Sequence, residues 1–173
     1  SFNRSILDAI EDKLCEEKRA FQVIDLVEDG FNPTMTATDL AQYNRGKTTD
    51  PLVAKYGDLL LGTDELIIIF PIWWGMMPAI FKGFIDKVLL KGLAYRYSDD
   101  GAMLPALNIR RTLLITTSQG PTPLYRHFIE DTLILFVLNS VGITGVEWMN
   151  CERTAHGPRE NREDFLKKVI AKA

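Results

Sequence analysis

Five apolar residues in succession, Leu66 to Phe70, run into Pro71, then into Trp73-Trp74-Gly75, and a helix opens at Pro78. An apolar run of this length fits a strand buried on both faces, the kind found in parallel sheets. Two tryptophans beside a helix entrance are costly to leave in water. In an open α/β sheet the junction beyond the carboxyl end of a strand is where ligands bind. A flat, partly apolar ligand with a polar edge suits such a junction. The alternative is that both tryptophans fill the core or a dimer interface, since tryptophan is highly buried on average.

The rest of the chain alternates between helical and extended patterns. Ile6, Leu7, Ala9, Ile10 and Leu14 have helical spacing, with Ser1 and Asn3 placed to cap. Phe21 to Val27 reads as a strand ended by turn chemistry over 28–33. The polar stretch 34–50 predicts short helical turns, and Pro51 to Leu61 a helix with proline in its first turn. After the strand 66–70 come a helix from Pro78 to Leu90, a short extended piece over 91–97, a turn at 98–101 and a loop to Asn108. Arg111 to Thr117 reads as a strand, Tyr125 to Ser140 as a helix, Gly145 to Met149 as a strand and Arg159 to Lys172 as an amphipathic helix. This order predicts a parallel sheet with helices on both faces, in one domain over 1–173. Such sheets normally begin with a central strand. This chain opens on a helix, so its first strand is expected to be missing.

Composition narrows the function classes. The 173 residues suffice for one full core. A formal net charge of -3 with scattered Lys and Arg gives no footprint for nucleic acid. No apolar run approaches a membrane span, so no membrane insertion is expected. Cys15 and Cys151 lack the spacing of a metal or redox motif and read as free thiols of a cytoplasmic protein. Two histidines, His127 and His156, are too few for a typical zinc site, so no metal is expected.

Three loops meet at the carboxyl edge of the expected sheet. Ser1-Phe2-Asn3 precedes the first helix, whose free N–H groups suit a phosphate, or are simply capped. Pro71, Ile72, Trp73, Trp74 and Gly75 can hold a ring system through backbone amides, with glycine permitting close approach. Thr117, Ser118, Gln119 and Gly120 can donate to a heteroaromatic edge, and the Tyr125 hydroxyl can reach the same place or simply pack at a helix start.

Taken in order, these segments resemble a known family. The stretch from Phe70 to Val88, Phe-Pro-Ile-Trp-Trp-Gly-Met-Met-Pro-Ala-Ile-Phe-Lys-Gly-Phe-Ile-Asp-Lys-Val, is similar to the signature of the flavodoxin-like NAD(P)H:quinone reductases, the family of DT-diaphorase and its small bacterial relatives. Ser1-Phe2-Asn3 resembles the end of that family's first phosphate-binding loop. Asp25-Leu26 with Phe31-Asn32-Pro33 resembles its segment after the second strand, and Thr116-Thr117 with Gly120 and Tyr125 its third flavin loop. The likeness covers essentially the whole chain. It departs at Ser118-Gln119, where the family has Gly-Gly, and after Tyr125, where Asp131 rather than His127 lies near the family's histidine position.

The resemblance implies a flavodoxin-like three-layer sandwich that binds FMN, with FAD as the other possibility. Ser1, Phe2 and Asn3 would lie by the phosphate tail. Pro71 to Gly75 would border the isoalloxazine, and Thr117 to Gly120 would face its pyrimidine edge. Tyr125 is the catalytic residue it implies. The implied reaction carries hydride from NAD(P)H through the flavin to a small quinone-like acceptor, in a homodimer. The same slot could serve an azo- or nitro-compound reductase. A regulatory flavin-binding subunit of a potassium efflux system and a flavodoxin-type electron carrier are the readings from other classes.

Overall fold

The computed structural model describes all residues 1–173. Helix α1 (Phe2–Glu16) is capped by Ser1, whose Oγ accepts the Arg4 N–H at 3.4 Å. Its apolar positions Ile6, Ile10 and Leu14 are buried, each worth about 1.5–3 kcal/mol against exposure. A short helix α2 (Ala37–Tyr43) starts on a capping box between Thr36 and Asp39. Helix α3 (Pro51–Leu61) is capped by Asp50, which accepts the Leu52 N–H, with Pro51 in its first turn. Strand β1 (Glu65–Pro71) leads to α4 (Ala79–Val88), which begins after Pro78. A hairpin of β2 (Tyr95–Tyr97) and β3 (Met103–Pro105) precedes β4 (Arg111–Thr117). The chain closes with β5 (Val146–Cys151) and α5 (Arg159–Lys172).

The main sheet has the order β1-β4-β5 with every pair parallel. Ile68, Phe70, Ile72 and Leu114 face the larger core, which also holds Tyr56, Val88, Ile129 and Leu133. Leu113 and Ile115 face a smaller core made with Ile6, Ile10, Leu14 and Val169, against which Ile67 and Ile69 pack. The period-2 alternation thus serves two apolar faces, as the unbroken apolar runs require.

The structure differs from the sequence expectations at four places. Residues 21–25 belong to no strand, and 26–30 are turns. Phe21 packs on the smaller core and Ile24 and Leu26 on the larger, while Gln22 and Val23 are exposed. What they lack is a neighbour, because the sheet ends at β1. For the same reason β1 is an edge strand, with Ile68 and Phe70 buried but Leu66, Ile67 and Ile69 only half-buried. Met103–Pro105, expected as loop, pairs with β2 because the turn at Ser98–Gly101 closes a hairpin. The expected α-helix over 125–140 is instead a 3-10 turn (Thr122–Tyr125), a π-helix (His127–Leu138) and a second 3-10 turn (Asn139–Val141). The wider π turn brings Ile129, Leu133 and Leu138 to the buried side, at spacings of four and five.

Candidate functional site

The three loops singled out in the sequence lie at one edge of the sheet. The parallel strands β1 and β4 end together, and the Ile72 N–H donates to Thr117 O at 2.8 Å, which ties the second loop to the third. Helix α1 runs antiparallel to β1, because Arg19 beyond its carboxyl end reaches Glu65 at the start of the strand (2.6 Å). Its amino end, carrying Ser1, Phe2 and Asn3, therefore points to the carboxyl edge where the other two loops are.

In the first loop the backbone N–H groups of Phe2 and Asn3 have no partner. Asn3 Oδ1 is buried and also unpartnered. Phe2 is half-buried and packs on Phe165 of α5, ring centroids 6.4 Å apart, so its ring belongs to the seam between α1 and α5.

The second loop is a tight turn. Trp73 and Met76 exchange backbone hydrogen bonds of 2.9 and 3.0 Å. Trp74 and Gly75 between them have φ of +51° and +80°, the pattern of a type I′ turn. A left-handed backbone costs a non-glycine residue roughly 1–2 kcal/mol. Trp74 bears that strain while wholly exposed, and Trp73 is 63% exposed. Neither tryptophan is in the core. The amides expected to face a ligand are partly committed: those of Ile72 and Trp73 bond within the protein, while those of Trp74 and Gly75 are free. The space above Gly75 is open, since a Cβ there would meet nothing within 4 Å.

The third loop is held from within. Ser118 is buried; its N–H donates to Cys151 O and its hydroxyl to Gly120 O. The Gly120 N–H donates to the Tyr125 hydroxyl oxygen at 3.1 Å. Ser118 and Gly120 thus spend their donors inside. The backbone N–H of Gln119 and the proton of the Tyr125 hydroxyl remain free to point outward. Thr117 is buried at the end of β4. His127 is exposed and pairs with Asp131 at 2.9 Å.

Residues the sequence reading did not single out anchor this loop. Asn150 on β5 donates from Nδ2 to Ser118 Oγ and Thr122 Oγ1, both at 3.0 Å. Glu152 accepts the Thr122 N–H at 2.6 Å, and hydrogen bonding from Thr122 holds its carboxyl below the ordinary value. Thr154 donates to Ser118 O. Burial pushes the Cys151 thiol up. The one available signal was a run of polar residues where β5 should end.

A flavin fits these groups. The buried, unpartnered Asn3 Oδ1 needs a donor, which a ribityl hydroxyl would offer. The free amides at the α1 amino end suit a phosphate. The space over Gly75 is open, and the neighbouring indoles of Trp73 and Trp74 are exposed, so a flat ring could lie there.

Comparison with known proteins bears out the fold. Residues 1–173 match the family Flavodoxin_2, described as a flavodoxin-like fold. An uncharacterized NAD(P)H oxidoreductase, YcaK, of Escherichia coli (strain K12) is 38% identical over 116 residues, covering 66% of this chain and 58% of its own length. The FMN-dependent NADH:quinone oxidoreductase 2 of Clostridium acetobutylicum is 26% identical, covering 87% of this chain and 76% of its own length. Among solved structures, Smu.1420 from Streptococcus mutans UA159 superposes with a TM-score of 0.84 at 29% identity, over 99% of this chain and 90% of that one. The chain spans 58% of the length of YcaK and 51% of that of the rat NAD(P)H dehydrogenase [quinone] 1.

Proposed function

This chain belongs to the Flavodoxin_2 family of flavodoxin-like fold, and on that premise we propose that it is a flavin-dependent NAD(P)H oxidoreductase that reduces small quinone-like acceptors. The carrying observation is the Trp73–Met76 turn. A strained, exposed tryptophan stands there between two loops that each keep unpaired donors at the same sheet edge. Strain of this kind survives where a site needs it.

The residues divide the work as follows. The free amides of Phe2 and Asn3 hold the phosphate of FMN, and Asn3 Oδ1 accepts from its ribityl chain. The indole of Trp74 and the backbone at Gly75 lie against the ring. The Gln119 N–H and the Tyr125 O–H face the polar edge, where negative charge grows on reduction and fixed donors are worth most. When bound, FMN supplies the hydride chemistry, and the protein supplies binding, orientation and electrostatics. FMN rather than FAD follows the clostridial relative, an FMN-dependent NADH:quinone oxidoreductase. An NAD(P)H nicotinamide and then a planar quinone use the slot bordered by Trp73, Trp74 and Met76. These apolar side chains are exposed, as is Leu124, and a second copy of the chain covers them in a homodimer. No helix is long and apolar enough to cross a membrane, and the free thiols Cys15 and Cys151 suit the reducing cytoplasm.

The test begins with the visible spectrum of the purified protein and the mass of any flavin released from it. Stopped-flow oxidation of NADH and NADPH, with menadione as acceptor, follows. A yellow protein that releases FMN and turns over is expected. A colourless preparation that takes up neither FMN nor FAD overturns the proposal, and tight flavin without NAD(P)H oxidation reduces it to a binding role.

A further inference from the structure

A chain of hydrogen bonds with a fixed direction runs beneath the third loop. Trp148 Nε1 donates to Thr116 Oγ1 at 2.8 Å, and Thr116 Oγ1 donates to Asn150 Oδ1 at 2.9 Å. Asn150 Nδ2 donates to Ser118 Oγ at 3.0 Å, and Ser118 Oγ donates to Gly120 O at 2.9 Å. An indole N–H can only donate, so Thr116 Oγ1 accepts it and keeps its own proton for Asn150 Oδ1. Turning the Asn150 amide over would aim two donors at the Thr116 oxygen. It would also draw the Ser118 proton to Oδ1 and leave Gly120 O without a donor. Thr116 and Ser118 are 0% and 3% exposed, so the cost of mispairing their hydroxyls falls on the network.

The far end of this chain is the one that faces the site. With its carbonyl turned inward to Ser118, Gly120 presents its N–H to the Tyr125 oxygen. That bond occupies the oxygen and leaves the Tyr125 proton to point away from the protein. We propose that Asn150 is a positioning residue that sets the donor pattern of residues 118–125, and through it the affinity and reduction potential of the bound flavin. This rests on the flavin reading above. Asn150 touches neither cofactor nor substrate; it acts through Ser118 and Gly120.

The test compares wild type with Asn150→Asp, which keeps the shape and removes the two donors, and with Ser118→Ala, which breaks the same chain without adding charge. In the apoprotein, amide exchange at Gly120 is expected to rise about tenfold in both variants. FMN titration should show binding weakened about tenfold. Redox titration should show the midpoint lowered by about 30 mV, a tenfold loss of preference for the reduced form of a two-electron couple. Variants that melt earlier but keep the wild-type Gly120 exchange and midpoint make Asn150 merely structural and overturn the inference alone. A wild type that takes up no flavin overturns the function proposed above and this inference with it.

Discussion

The Tyr125 hydroxyl oxygen accepts the Gly120 N–H at 3.1 Å, across a loop that closes within five residues. A Cβ on Gly120 would lie 2.5 Å from that oxygen, so glycine is required for the approach. The bond fixes where the phenol points and what it can still offer, which is one proton. Tyr125→Phe removes that proton and strands the Gly120 N–H. Loss of a single preorganised donor of this kind costs on the order of 100-fold in rate. Flavin reduction by NAD(P)H, followed by stopped flow, is expected to slow by at least tenfold with stability lowered by only about 1 kcal/mol. Unchanged rates in both half-reactions remove Tyr125 from the chemistry.

Trp74 separates stability from function in the opposite sense. Its side chain is wholly exposed and its φ is +51°, so the fold gains nothing from the ring and bears the backbone strain. Replacing it with glycine removes a strain of roughly 1–2 kcal/mol, partly offset by the greater freedom of glycine in the unfolded chain. Trp74→Gly is therefore expected to be at least as stable as wild type in urea, gaining up to about 1 kcal/mol. FMN affinity should fall about tenfold through loss of the aromatic face. A variant that is clearly less stable would mean that the indole packs on something in the folded protein.

Much of the scaffold is legible in the sequence because its causes are local. The apolar run at Leu66–Phe70 and the β-branched run at Arg111–Thr117 form β1 and β4, and Pro51 and Pro78 mark the entrances of α3 and α4. Other features depend on partners far along the chain. A pairing-competent segment at Phe21–Val27 forms no ladder, because ladders are properties of two strands. Nothing in the pattern 127–138 distinguishes a π-helix from an α-helix, since both bury Ile129 and Leu133. At the site, the three loops are visible as motifs. Which of their amides are free is not, because that depends on bonds such as Ile72 to Thr117. Asn150 is invisible for the same reason: its partners Thr116, Ser118 and Thr122 lie about thirty residues away.

Lys87 supplies a prediction about pH. It is 4% exposed and donates to Asn32 O at 3.0 Å and to Asp50 at 3.1 Å, with Asp39 3.5 Å away. Lys87→Met would leave two carboxylates facing one another and is expected to cost about 3 kcal/mol. The Asp39 carboxyl is held below its ordinary value, first by the Thr36 N–H, against an opposing push from burial, and then by the Thr36 hydroxyl and Lys87. A lowered folded value means that this contribution is whole above the unfolded value of 3.8 and is lost as pH falls through the lower folded one. Asp39→Asn should be less stable than wild type at pH 7 by about 1 kcal/mol, through loss of the capping box. The gap should close as pH falls below 3.8 and the wild-type carboxyl takes up its proton. Urea midpoints of both proteins across pH 2–7 decide this, and a gap that widens with acid contradicts it.

The unpaired segment beside β1 makes the last prediction. None of the backbone N–H groups of residues 21–25 has a partner, although Phe21 packs on one core and Ile24 on the other. Leu114 and Ile115 lie in β4, paired on both sides and 0% exposed. Amide exchange reports the free energy needed to open each bond, from near zero for unbonded groups to the global value in core strands. Amides at 21–25 should therefore exchange close to the rate of an unstructured chain, while those of Leu114 and Ile115 exchange only on global unfolding. Side-chain packing without a ladder holds a segment in place but does not protect its backbone. Protection at 21–25 equal to that of β4 would require a strand hydrogen-bonded to this segment in solution, and the order β1-β4-β5 would then describe only part of the sheet.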